Sequence, residues 1–294
     1  MKITDKIRLV INADDFGLLP EVNSGIIACF KAGSITSTTL MVNTDGTSDA
    51  VRLAKKNPDL GVGFHFNLTQ GKPASSPTEI PTLISDTGAF FPRAGFEKRV
   101  LLRKIRTRDV KREFKAQLDR FEEFGLEMTH VDSHHHVHMF PSIFKIVRDF
   151  AEKRGLPLRI PWVSYRFITP TLKLQGLTAI LRKMLLQILT AKIPRGSYDQ
   201  IVVPNRFFSI HDYGAFSGEI SPNQYIRFLT AATPGLTEIM VHPSYNTAEL
   251  RALNDDTYMR EIELRALTSF SLIEAAERKG IEVISYRAYF KTGS

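Results

Sequence analysis

The sequence predicts an α/β fold: a distorted (β/α) barrel of the TIM-barrel kind, in a single domain spanning residues 1–294. Three observations lead there. Seven or eight short apolar runs alternate with stretches of helical periodicity, the pattern of parallel strands joined by crossover helices. The chain has 294 residues, close to the roughly 250 that such barrels use. Finally, aspartates and histidines recur at the C-terminal ends of the apolar runs, the face where barrels and open α/β sheets carry their sites.

The first strand is Ile7 to Ala13, ending in Asp14-Asp15-Phe16-Gly17. Two adjacent carboxylates repel each other and are costly to desolvate, so they are either solvated in a turn or held by a cation. Pro20 opens a helix towards Gly33. Thr38 to Asn43 reads as the second strand, and Ala50 to Lys56 as the next helix. The third strand, Leu60 to Phe66, alternates: Val62, Phe64 and Phe66 face one way, while Gly61, Gly63 and His65 face the other. The glycines are expected to clear space beside His65.

Asn67 to Gly95 is too long for a plain connection and is expected to form a lid or substrate loop. Glu97 to Phe124 reads as helix with a break near Thr107 to Asp109. Leu126 to Thr129 approaches as the fourth strand. It leads into His130-Val131-Asp132-Ser133-His134-His135-His136-Val137-His138, nine residues that hold five of the eight histidines. The run reads as a loop entering the helix Ser142 to Lys153. Leu158 to Pro161 is expected as a short strand with Arg159 near its end. The aromatics Trp162, Tyr165 and Phe167 either stack on a sugar or cover the core. Thr171 to Lys192 reads as an apolar helix that is core, a dimer face or, less simply, a membrane-surface helix. Ile201 to Pro204 is strand-like, Pro222 to Ala231 helical, and Thr237 to Val241 a buried strand ending at His242. One long helix from Asp256 to Lys279 and a strand from Ile281 to Ser285 complete the count.

Bulk composition narrows the function classes. With 43% apolar and 24% charged residues the chain is of ordinary globular type. A single cysteine, Cys29, excludes an internal disulfide and a cysteine-based zinc site, and suits a cytoplasmic location. No apolar run reaches the roughly 18 residues of a membrane span. The net charge of +8 gathers largely between Lys98 and Lys115, without base-reading motif or aromatic platform. That cluster reads as a solvated helix face, with no nucleic-acid partner. Phosphate-binding glycine motifs are absent.

The strand ends at Asp14-Asp15, His65, the 130–138 run and His242 converge on one face of a parallel sheet. A carboxylate with two or three histidines and an open position is what a hydrolytic divalent metal site requires. The pair Asp14-Asp15 offers a second carboxylate as base, and a histidine across the site offers an acid.

Asn12-Ala13-Asp14-Asp15-Phe16-Gly17, Gly63-Phe64-His65-Phe66-Asn67-Leu68-Thr69 with Gly71-Lys72-Pro73, and the histidine run with Phe140-Pro141 together resemble the YdjC family of carbohydrate deacetylases. That group includes chitooligosaccharide deacetylases and hopanoid-associated members. The resemblance implies a divalent ion, Mg2+ or Zn2+, and removal of an acetyl group from an N-acetylated saccharide or glycolipid. It implies metal ligation by Asp15, His65 and His134, with Asp14 as base and His242 as acid. Arg159 is expected to contact substrate or orient a carboxylate, and His136 and His138 to support the site or touch substrate. A homodimer is a family-level expectation. An esterase or phosphoesterase, or a non-catalytic metal-dependent sugar binder, are the alternatives.

Overall fold

The computed structural model describes residues 6–161, 184, 188, 201–210, 220–253 and 257–292. The aromatic segment from Trp162 and, save Met184 and Ile188, the helix expected over Thr171 to Lys192 lie outside the described residues. The described strands are β1 (Ile7–Phe16), β2 (Ser37–Leu40), β3 (Gly61–Phe66), β4 (Met128–Ser133), β5 (Arg206–Ser209), β6 (Gly235–Val241) and β7 (Glu282–Val283). All pairings are parallel, in the order β4-β3-β2-β1-β6-β5, with β7 against the start of β1. Between β4 and the approach to β5 the barrel is bridged rather than paired. Val131 N donates to the Pro157 carbonyl, Arg159 N to the Val131 carbonyl, and Leu158 N to the Val202 carbonyl.

The helices are α1 (Pro20–Lys31), α2 (Thr47–Lys56), α3 (Arg93–Leu101), α4 (Thr107–Glu123), α5 (Pro141–Arg154), α6 (Pro222–Ala231), α7 (Ala248–Leu253), α8 (Thr257–Thr268), α9 (Leu272–Glu277) and α10 (Tyr286–Thr292). Strand β1 is buried from Leu9 to Phe16, and its Leu9-Val10-Ile11 run is of the kind a strand covered on both faces shows. Phe64 and Phe66 of β3 turn outwards onto Phe121 and Phe114 of α4. His65 therefore faces the barrel interior.

Several boundaries differ from the sequence reading, each for a local reason. The strand expected at Ile201–Pro204 lies at Arg206–Ser209 instead. Pro204 has no N–H to give a ladder, and Asn205 N makes the first bond, to the Leu236 carbonyl. At Leu158 the expected strand is a single bridge. The break between α3 and α4 falls at residues 102–106, so Thr107–Asp109 begin the second helix rather than interrupt it. The C-terminal helix is two helices, because Ser271 caps α9 by accepting from Glu274 N at 3.1 Å. The histidine run is not all loop: β4 continues to Ser133, so His130 and Asp132 are strand residues.

The long connection after β3 is a fixed wall, not a free flap. Three buried side chains of α4, four residues apart on one face, bind its backbone. Asp109 accepts from Thr82 N and Oγ1, Glu113 accepts from Ala74 N and Ser75 N, and Gln117 bonds both N and O of Asn67.

Candidate active site

Register assembles the site. Ala13 pairs with Val241, so Asp14 and His242 follow at the same level of neighbouring strands. His65 and Asp132 are direct partners across β3 and β4. A bulge in β1 between Ala13 and Phe16 and a left-handed Asp15 (φ 67) then turn the two adjacent carboxylates to different neighbours.

Asp15 Oδ1 lies 2.8 Å from His134 Nδ1 and 3.3 Å from His65 Nε2. Its other oxygen accepts from Arg260 at 2.5 Å. His65 Nδ1 lies 2.6 Å from Asp132 Oδ1, an acceptor when ionised, which leaves Nε2 as the nitrogen facing Asp15. That Nε2 is buried and has no directed hydrogen bond.

Asp14 sits in other company. Arg159 grips both of its oxygens, at 2.5 and 2.7 Å, and Asn12 donates to Oδ1 at 2.8 Å. The same guanidinium contacts Asp132 at 2.6 Å and Glu238 at 2.6 Å. Glu238 is also held by the Tyr286 hydroxyl at 2.7 Å. Three buried carboxylates thus share one buried arginine, the pairing that makes such burial tolerable.

These contacts set the charges. Burial works against the Asp14 carboxylate, but Arg159, with His65 and His242, holds it at about 2. Burial likewise opposes Asp15, yet Arg260 and His134 keep it well below the usual carboxylate range. For His65, burial favours the neutral ring, but Asp132 and Asp15 outweigh it and raise the imidazole to about 10 in the metal-free arrangement.

Two triads could hold a metal ion: Asp15, His65 and His134, and Asp14, His65 and Asp132, each offering one ligand atom per residue within 4.8 Å. Chemistry separates them. Asp14 and Asp132 already share the Arg159 charge, which repels a second cation. Asp15, His65 and His134 instead present one carboxylate oxygen and two imidazoles, with His65 oriented by Asp132 as ligating histidines are. The donor set fits a divalent ion.

The remaining histidines divide by burial. His130 is wedged between Gly63 and Tyr286, its ring stacked on the tyrosine at 4.0 Å. A Cβ at Gly63 would stand 2.4 Å from that ring, so the glycine clears space for His130 rather than for His65. His130 Nε2 donates to Asn12, which in turn donates to Asp14. Burial and the Arg159 charge hold His130 well below its ordinary value.

His138 is fully buried, its ring between Ser133 Oγ and the Arg159 carbonyl. Burial and His136 push it down to about 3. Arg159 is fully buried as well, with its guanidinium committed to carboxylates. Arg159 thus contacts Asp14, Asp132 and Glu238, and His138 bonds groups of Ser133 and Arg159. His136 is 4% exposed and packs edge-on near Phe207. His135, which nothing in the sequence pattern singles out among its neighbours, is partly exposed and bonds Thr69 Oγ1 at 2.9 Å. His135 and His136 both hold left-handed backbone, φ 56 and 55, at a cost of about 1–2 kcal/mol each. His242 is 7% exposed, and its N–H donates to Glu263 at 2.7 Å.

Arg260 and Glu263 escape a reading of the sequence alone. A signal exists: Thr257, Arg260, Glu263, Leu264 and Leu267 form the buried stripe of α8. A charge on a core-facing stripe must meet a partner.

The profile described as YdjC-like protein matches residues 8–278. The chain is 34% identical over 284 residues to a carbohydrate deacetylase of Geobacillus stearothermophilus, covering 96% of this chain and 98% of that one. It is 36% identical over 275 residues to a chitooligosaccharide deacetylase of Salmonella enteritidis, covering 92% and 95%. A crystal structure from Enterococcus faecalis V583, described as a cellobiose-phosphate cleavage protein, superposes with a TM-score of 0.75 at 27% identity, covering 97% and 99%. On the extent of these matches, the chain belongs to the YdjC-like protein family.

Proposed function

We propose that this chain is a metal-dependent hydrolase that removes the acetyl group from an N-acetylated sugar. The observation that carries the reading is the Asp15, His65 and His134 donor set, within 4.8 Å and flanked by Asp14 and His242, in a chain of the deacetylase family. A divalent ion held by these three residues would polarise the scissile amide carbonyl and acidify the attacking water.

The chain's own groups divide the remaining work. Asp132 fixes the ring of His65, so that Nε2 is the nitrogen presented to the ion. Asp14 is held ionised by Arg159 at the level of His242, and takes the proton of the attacking water. His242, on the neighbouring strand end, gives a proton to the departing sugar amine. Arg260 holds Asp15 by one oxygen and leaves the other for the ion. Substrate contact falls to the partly exposed His135 and to His136 beside it, both on left-handed backbone. Two imidazoles and one carboxylate suit zinc better than magnesium, which prefers oxygen ligands throughout. A cytoplasmic location and a homodimer belong to this reading; cell fractionation and sedimentation test them.

The deciding experiment is acetate release from N-acetylated chitooligosaccharides, with and without a chelator. Release that stops on chelation and returns with a divalent ion supports the reading. No release from any N-acetylated sugar, with turnover of a phosphorylated disaccharide or a simple ester instead, overturns it.

A further inference from the structure

The strongest feature outside the site is the turn joining α3 to α4. Leu101 and Leu102 are 64% and 54% exposed, side by side at its tip. Basic residues surround them: Lys98, Arg103, Lys104 and Arg106. No ion pair joins these four to a carboxylate among the described residues, whereas Arg108 and Arg112 further along α4 do have acidic partners. Arg99 is folded back over the Phe91 ring. The tip is therefore an apolar pair inside a ring of unneutralised positive charge.

Its place in the fold matters as much. Phe114 of α4 packs on Phe66 at the C-terminal end of β3, and Phe121, two turns later, packs on the earlier Phe64. Helix α4 thus descends from the end of the barrel where the strands terminate. The tip at 101–106 precedes the first turn of α4 and so lies towards that same end, against Thr82 of the loop after β3. Asp109 anchors it from below by accepting from Thr82, whose hydroxyl takes the Arg106 N–H.

We infer that this tip docks the protein on an anionic lipid bilayer, with Leu101 and Leu102 entering the interface and the basic ring meeting lipid phosphates. Two leucines supply far too little area for a protein interface, which needs about 1,000 Å² and is depleted of lysine. They suit shallow insertion between headgroups, where long basic side chains bury their stems and keep their charges at the phosphates. The docked protein would carry its site mouth at the membrane surface, since tip and strand ends share one end of the barrel.

Flotation of the full chain with phosphatidylcholine vesicles, with and without phosphatidylglycerol, tests this. The protein is expected to float with the anionic vesicles, and about 10-fold less with neutral vesicles or at high salt. The double substitution Leu101→Ser, Leu102→Ser is expected to lower partitioning about 5-fold or more, with an unchanged thermal midpoint and unchanged acetate release from a soluble substrate. Should that variant fold poorly, Arg103→Gln with Lys104→Gln serves the same purpose and is expected to lower partitioning by a similar factor. No flotation with anionic vesicles, flotation that both variants retain, or binding of duplex DNA in place of vesicles each overturns the inference.

Discussion

Asp14 and Asp15 are neighbours in sequence and strangers in structure. Asp14 faces inwards, gripped by Arg159 within a cluster that also holds Asp132 and Glu238. Asp15 faces the histidines, with Arg260 on one oxygen only. The bulge in β1 and the left-handed Asp15 produce this divergence. The lesson is that two identical side chains acquire different chemistry from the cation each one meets. Asp14 meets a fixed cation that satisfies both of its oxygens. Asp15 meets one that leaves an oxygen open.

The largest expected effect separates the two arginines. Arg159→Met strands three buried carboxylates, and breaking even one buried pair costs about 3–5 kcal/mol. This variant is expected to be unfolded or nearly so. Arg260→Met strands one carboxylate, which a divalent ion can still neutralise. Its thermal midpoint is therefore expected to recover when the ion is added, while that of Arg159→Met does not. Equal recovery in both would end the distinction.

Next comes the carboxylate pair itself. Asp15→Asn is expected to abolish ion binding in calorimetry and, with it, activity. Asp14→Asn is expected to keep the ion but lose about 10²- to 10⁴-fold in kcat, the range of a removed general base. Loss of ion binding in Asp14→Asn would reverse the assignment of ligand and base.

A smaller effect is expected where the halves meet, at His65. Asp132→Asn removes the carboxylate that orients its ring and is expected to weaken ion affinity about 10- to 100-fold. pH sharpens the same point. The folded value of His65, about 10, lies above the ordinary 6.5, so its stabilisation of the metal-free protein is complete below 6.5 and lost as pH rises through 10. The Asp14 contribution has the opposite sign: present above 3.8 and lost as pH falls through about 2. Because an ion must displace a proton from His65, its affinity is expected to rise with pH up to about 10. Calorimetry in buffers of different ionisation enthalpy would show proton release; its absence would refute the raised value.

The smallest effect reaches only the Asp14 side. Gly63→Ala puts a methyl into the His130 ring and is expected to cost about 1–3 kcal/mol of stability. Ion affinity at Asp15 should be unchanged, since His130 reaches Asp14 through Asn12 and not Asp15.

Much of this is legible in the chain. Alternating apolar runs and helices specify a parallel sheet, and a parallel sheet places all strand ends on one face. Asp14-Asp15, His65, the histidine run and His242 are therefore readable as one neighbourhood. What stays hidden depends on contacts across the barrel. Gly63 reads as room for His65 because they share a strand face, but the ring that fills the space arrives from β4. Glu238 and Tyr286 read as ordinary strand and terminal residues until the fold brings Arg159 to Glu238 and Glu238 to the tyrosine hydroxyl. The α4 carboxylates Asp109 and Glu113 read as solvated until the loop after β3 folds onto them.

By itself, then, the sequence determined the (β/α) pattern and the side chains available at the strand ends, because periodicity and element order are local properties of the chain. Only the tertiary structure decided how Asp14 and Asp15 differ and which histidines face the site. Those outcomes turn on which arginine, 145 or 245 residues away, reaches each carboxylate. Such electrostatic partnerships depend on distance in space, and no local pattern encodes them.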